Sequence, residues 1–597
     1  MKDLERILLY ILKGGLLLSL VAPLVNSDSF FFPFVVPRTV FFQIITEILL
    51  AAAVVLVAFF PAHRPKWTML GYAISAFFVA GALATIFAID PSKSFMGTVE
   101  RAFGFFNILH YGILFLIANI AIRSQKNWTT VISVSICISV YAAISFLFES
   151  AGSVKATSVA GNPTFLAAHM MLNLFFAIYL LKASKRTLTD ALLALAAAIL
   201  LFGVLISNVR GAFVGLSTGI LYLLVHTAIN SQKWRLKIIV VMAVLVGSYI
   251  ALFVGRNTDF VRTNYTLQHV TSFSLNEGTI KSRFEMWKMA TSGLQERPIF
   301  GWGRENFSYV FDAQYKYSDF ESAGVGEQWE DRAHNIFFDE AINGGIVELL
   351  AYIALLVTAF ITMRKRPVLL AALISYTVQN LFGVDTLNSF LPFLILLAFA
   401  DFLKQQRPEA SLNSYVPIKM EQAYAISIVG VGFVLLASFQ FTIKPMVANA
   451  NVYKAAKSMM TNQYETFKRS YKNGIENLKS FSGLKREYLT LIGSTLVTNA
   501  SPLVQTNAYL KYANIISADF ETIYKANALE QKNMLLLAQL FLQRGVVAQN
   551  MYLLDQSEDI LKRLLEISPN KKLFQTTLEK LKSLKENAFK APPVPSK

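Results

Sequence analysis

Three cationic or titratable residues of this chain stand where their types and spacing suit chemistry on an anionic substrate. Arg210 lies in Ser207-Asn208-Val209-Arg210-Gly211, a tight connection between two apolar runs. A guanidinium held at such a junction is shaped to grip a phosphate through two parallel hydrogen bonds. The plainer role is an interfacial arginine whose stem lies along apolar surface while its head reaches water. Arg283 and Trp287 are one helical turn apart in Ser282-Arg283-Phe284-Glu285-Met286-Trp287-Lys288-Met289-Ala290. The shared face lets the guanidinium take an anion while the indole stacks on a sugar or packs on protein. An amphipathic helix on a membrane surface has the same spacing. His334 stands in Ala333-His334-Asn335-Ile336-Phe337-Phe338, just ahead of an apolar run. Imidazole titrates near neutrality, so a histidine there can take a hydroxyl proton as general base, or simply cap the helix. Asn162, in Gly161-Asn162-Pro163, is a candidate for glycan contact, although Asn-Pro is first of all a turn and helix-start signal. Metal chemistry has little to build on. The six histidines, at 63, 110, 169, 226, 269 and 334, show no ligand-type spacing, and the single Cys137 lies in an apolar segment, which excludes a disulfide framework and a thiolate metal site.

The elements that must position these residues are membrane helices. Hydrophobic residues make up 54% of 597 residues, too many for one soluble core at this length. The net charge of +17 would suit nucleic acid, but Lys and Arg sit mostly in short connections between apolar runs and in the tail, where membrane topology accounts for them and no nucleic-acid partner is expected. Runs of spanning length occupy about 7–25, 40–60, 68–88, 102–122, 130–149, 164–181, 188–207, 211–229, 236–254, 336–360, 367–383, 388–403 and 421–441, about thirteen helices. The first resembles a signal peptide, yet no small-x-small cleavage site closes it.

Basic loops stay on the cytoplasmic side. With the N-terminus inside, every inside loop is basic: His63 to Lys66, Arg123 to Lys126, Lys182 to Arg186, Gln232 to Lys237, Arg364 to Arg366 and Lys404 to Lys419. Most outside connections, such as Ser27 to Thr39, Ala151 to Pro163 and Gly383 to Leu387, hold one basic residue or none; Ile89 to Arg101, with Lys93 and Arg101, is the weaker case. This frame divides the chain into a polytopic membrane domain, 1–443, with a large outer loop at 255–335. Beyond it lie an outer helical domain at 444–590 and a Pro-rich disordered tail at 591–597. The 444–590 stretch carries amphipathic helix pairs, such as Leu553 to Ile567 closed by Ser568-Pro569-Asn570 and followed by Leu573 to Leu584, which resemble a tetratricopeptide solenoid. Inside the loop, Pro298-Ile299-Phe300-Gly301-Trp302-Gly303 predicts a defined turn.

Taken together, Gly161-Asn162-Pro163, Ser207 to Gly211, Arg283 to Trp287 with Pro298 to Gly303, and His334-Asn335 to Gly345 resemble the O-antigen ligase and polymerase superfamily, the Wzy- or WaaL-like proteins, over about 40–403 with a core at 160–350. The resemblance implies an all-α, GT-C-like membrane glycosyltransferase, inverting, with no cofactor: neither nucleotide sugar nor metal. Such an enzyme moves a glycan from undecaprenyl diphosphate to a glycolipid, polysaccharide or protein acceptor hydroxyl at the outer face of the cytoplasmic membrane. Carried over by motif, Arg210 and Arg283 bind the lipid diphosphate, His334 is the catalytic base, and Asn162 and Trp287 contact glycan. The thirteenth span and the outer helical domain, a candidate for docking a protein partner, depart from the ligase pattern. Polymerisation of repeat units and protein O-glycosylation are alternatives within the class. A lipid-linked sugar flippase would need mid-span charges and paired broken helices, and a scaffold would not need thirteen spans.

Overall fold

The computed structural model describes the chain except residues 66, 153–159, 265–266, 269–270, 272–277, 316–328, 406–417, 500–507, 527–529 and 589–597. The Pro-rich tail at 591–597 and part of the outer loop lie outside the described residues. Every regular element among the described residues is helical. In chain order they are α1 Lys2–Ser19, α2 Val36–Phe59, α3 Met69–Ile86, α4 Pro91–Met96, α5 Phe105–Ala121, α6 Gln125–Gly152, α7 Pro163–Ala183, α8 Thr187–Ile206, α9 Arg210–Asn230, α10 Gln232–Val254, α11 Asp259–Thr263, α12 Gly278–Glu296, α13 Phe307–Gln314, α14 Ile336–Met363, α15 Pro367–Gln379, α16 Leu387–Gln405, α17 Met420–Ala437, α18 Lys444–Met460, α19 Tyr464–Asn477, α20 Ser482–Thr498, α21 Ala508–Ala526, α22 Gln531–Val547, α23 Met551–Ile567 and α24 Lys572–Ala588, with short 3-10 and π turns between some of them.

Eleven described helices are long and apolar enough to cross a membrane, and α5 and α15 are shorter apolar helices. The protein is a polytopic, all-α membrane protein. Helix starts follow the sequence signals: Thr68, Asp90, Asn162 and Asn335 each accept a backbone N–H of the first turn, and Pro163 and Pro367 sit where a missing N–H costs nothing. The centre is α16, buried over 89% of its apolar window, whereas α10 is buried over 6% and leaves its sides for lipid.

The connections sort into two ends. Arg38, at the start of α2, donates to the Ala160 carbonyl at 3.2 Å and to Asn388 Oδ1 at 3.3 Å. Ile89 N–H donates to the Trp302 carbonyl at 3.0 Å and Ile336 N–H to the Asn380 carbonyl at 2.9 Å. Beyond the other end of α2, Arg123 donates to the Ala62 carbonyl at 2.8 Å and His63 meets Glu5 at 2.7 Å. The connections at 61–64 and 123 therefore lie at the opposite end of α2 from Arg38 and its partners Ala160 and Asn388.

Two backbone devices shape the long-loop end. Gly344 and Gly345 break α14, Gly345 in the left-handed region at φ 63°. A Cβ on Gly345 would stand 2.4 Å from the Ile299 carbonyl oxygen. The carbonyls and N–H groups freed by the break are taken by the predicted turn at 298–303: Trp302 N–H donates to the Ile342 carbonyl at 2.8 Å, Gly303 N–H to Asn343 at 2.9 Å, and Ile346 N–H to Pro298 at 2.8 Å. At the chain's other junction, α17 does not stop at a domain border. It runs through a π turn at Ser438–Ile443 into α18, one helix of 41 residues from Met420 to Met460. The expected boundary at 443/444 falls inside that helix. The remaining helices pack in succession, α18 on α19, α22 on α23 and α23 on α24, around Val452, Phe467, Tyr512, Leu537, Leu561 and Phe574.

Candidate active site

Arg210 is the first residue of α9 and is half-buried. Its helix approaches α15 through Gly211, Gly215 and Gly219, spaced one turn apart. A Cβ at Gly215 would stand 2.6 Å from the Ser375 carbonyl oxygen, and one at Gly211 already touches Gln379 and Phe382. A small-residue stripe is how helices meet closely where lipid removes the hydrophobic drive between them. The turn before it uses Asn208 at φ 54°, a conformation Asn tolerates better than most residues. Arg210 is thereby fixed beside the last turn of α15.

His334 reaches the same turn from the other side. It precedes the cap Asn335, and Ile336 N–H is held by the carbonyl of Asn380, which follows α15 directly. Asn380 Nδ2 donates to Asp385 at 3.0 Å, and Tyr376 and Ser389 donate to the same carboxylate at 2.6 and 2.9 Å, so the α15–α16 turn is rigid. His334 itself has φ 55°, a left-handed backbone rarely taken by a residue with a side chain and found at sites where surroundings over-determine the geometry. Its Nε2 lies 3.4 Å from Glu330 Oε2, a long contact, and its side chain keeps about a quarter of its surface exposed.

The α12 helix supplies the third side. Trp287 Nε1 donates to the Ala333 carbonyl at 3.0 Å, next to His334, and its ring stacks on Phe338 with centroids 5.6 Å apart. Arg283 lies half-buried one turn earlier on the face of Trp287. Asn162 is placed differently. Its Oδ1 accepts the Thr164 N–H at 2.8 Å and caps α7, beside the group in which Arg38 binds Ala160 and Asn388. His169, two turns on, is buried with Nδ1 3.0 Å from the Asn388 carbonyl.

The segment leading into His334 is anchored by ion pairs that sequence reading missed. Arg101 grips Asp331 bidentately at 2.6 and 3.0 Å. Burial works against the Asp331 carboxylate, but the hydrogen bonds and charge of Arg101 overcome it and hold its pKa below the usual range. Arg332 pairs with buried Glu305, which also accepts from Thr98 at 3.0 Å. Buried Arg304 bridges Glu340 and Glu348 across the α14 break, at 2.8 Å to Glu340. Carboxylates at 340 and 348 of an apolar run were the available signal, since charges in a span are retained only with partners.

Residues 195–353, from within α8 to within α14, match the family model described as O-antigen ligase. No curated protein matches the chain. The matched segment carries Arg210, Arg283, Trp287 and His334. Over this segment, about a quarter of its length, the chain is similar to the O-antigen ligase family.

Proposed function

We propose that this protein transfers a glycan from an undecaprenyl-diphosphate-type carrier to an acceptor hydroxyl at the outer face of the cytoplasmic membrane, as an inverting, metal-independent glycosyltransferase. The observation that carries the reading is the convergence of Arg210 and His334 on the last turn of α15, with Trp287 bonded to the residue beside His334. The acceptor oxygen attacks the anomeric carbon while that carbon's bond to the diphosphate oxygen breaks. The hydroxyl proton passes to His334, and the electron pair leaves with the diphosphate, whose growing charge Arg210 and Arg283 take up. If Nε2–H of His334 donates to Glu330, Nδ1 keeps the lone pair that a base needs. Trp287 then holds the backbone of the base as well as offering a face to sugar.

The orientation that fits this chemistry has the N-terminus in the cytoplasm and the loop and helical domain outside. The tail helices favour a tetratricopeptide-like fold by their pairing. The testing experiment is gene deletion with identification of the lost surface glycan. Whole chains left on carrier lipid mean a ligase, single repeat units attached to the acceptor mean a polymerase, and loss of protein-linked glycan means a protein O-oligosaccharyltransferase. An unchanged set of surface glycans overturns the reading.

A further inference from the structure

The C-terminal helices do not hang free of the loop that carries His334. Glu530 pairs with Lys93 at the start of the loop end and accepts from Ser308 at 2.9 Å. Gln531 N–H and side chain donate to the Asp312 carboxylate and carbonyl at 3.2 and 3.1 Å. The centre of this contact is Lys571, in the turn between α23 and α24, which is 1% exposed. Its ammonium sits 3.6 Å from the Trp329 ring centroid and 4.8 Å from that of Tyr315, with Phe574 closing the cage at 5.1 Å and Asp312 Oδ1 at 3.4 Å.

A cation desolvated among aromatic faces and a carboxylate is held by both charge and ring quadrupoles. Tyr315 and Trp329, fourteen positions apart in the chain, meet on one ammonium. From Trp329 the chain runs directly through Glu330, Asp331 and Arg332 to His334, and Asp331 is fixed by Arg101 ahead of α5 and Arg332 by Glu305 of the same loop. The catalytic histidine is therefore suspended between two anchors, one in the membrane domain and one in the tail.

We propose that the C-terminal helical domain is part of the catalytic apparatus, with Lys571 as the positioning residue that fixes the Trp329–His334 segment. The proposal rests on the transferase reading above. It gives the outer helical domain a role in turnover rather than only in docking a partner.

The test uses the full-length protein in membranes or detergent, with the purified lipid-diphosphate-linked glycan as donor. Lys571→Met keeps the stem and removes the charge, Lys571→Arg keeps a cation, Trp329→Leu removes the main aromatic face, and exposed Lys580→Met is the control. Lys571→Met and Trp329→Leu should each lower kcat by about tenfold or more through misplacement of His334, with the donor KM little changed. Both should speed amide exchange over 329–335. Lys571→Arg should recover most of the rate, and Lys580→Met should match the wild type. Unchanged exchange over 329–335 in Lys571→Met overturns the latch, as does a raised KM with kcat intact. A wild type that transfers no glycan overturns the transferase reading instead, and that control precedes every comparison; faster exchange in the variants would then still be seen.

Discussion

The two halves of the candidate site are held by opposite physical means. Arg210 sits on the hairpin of α8 and α9, whose apolar windows are buried over only 17% and 22% inside the protein. That half is located by the absence of side chains, where Gly211, Gly215 and Gly219 let α9 lie against the α15 backbone. His334 sits in a polar cap located by the presence of charge, with Asp331, Arg332 and Trp329 tied to Arg101, Glu305 and Lys571. Lipid gives helices little reason to associate beyond close packing, whereas at the aqueous end paired and partly buried charges fix a segment that has no helix of its own. The difference teaches which substitutions threaten each half: added volume on the hairpin, lost charge in the cap.

The largest effects test whether the halves act on one reaction. His334→Ala should lower glycan transfer by about 10²–10⁴-fold, the usual worth of a general base. Arg210→Ala or Arg283→Ala should cost about 10²–10³-fold, with Lys at either position recovering part because charge remains without the planar fork. Initial rates on one lipid-linked donor measure all of these, and full activity in both Arg→Ala variants would remove the diphosphate role. On the hairpin alone, Gly215→Ala should cost about ten- to a hundredfold in transfer, because its Cβ meets the Ser375 carbonyl and no rotamer relieves a backbone clash. Gly247→Ala on α10 faces open space and should be silent; equal behaviour of the two would refute packing as the hairpin's locator.

The cap predicts a smaller, pH-dependent effect. Burial pushes the Asp312 carboxyl up to about 6 from 3.8, and the Lys571 charge only partly offsets it. The native state thus holds this proton more tightly than the unfolded chain, so this group's contribution to stability falls as pH rises between about 4 and 6. Acidification from pH 7 to 5 should return about 1 kcal/mol of cap stability. Thermal unfolding of the full chain at both pH values should show that gain in the wild type and not in Asp312→Asn. Smallest is Asn162→Ala. Loss of its cap on Thr164 should cost about 1 kcal/mol of stability and leave the rate per folded molecule unchanged. A fall in that rate would support Asn162 as a glycan contact.

Hydropathy made the spans legible. The Pro and Gly residues of 298–303 likewise announced a turn, which the α14 break uses. What stayed illegible was long-range pairing. The Ile89–Arg101 connection looked too basic for its side, yet Lys93 pairs with Glu530 and Arg101 with Asp331, so both cations are matched by acids far along the chain. No local pattern records a partner 437 residues away. Arg304 with Glu340 and Glu348 was missed for the same reason, and the capping role of Asn162, a local feature, was read directly from Asn-Pro.

The helix from Met420 to Met460 carries one more consequence. At 1.5 Å per residue its 41 residues make a mast about 60 Å long, roughly half of it standing clear of a bilayer. Being continuous with the membrane domain and packed against α19 and α20, it sets the height and bearing of the helices that follow.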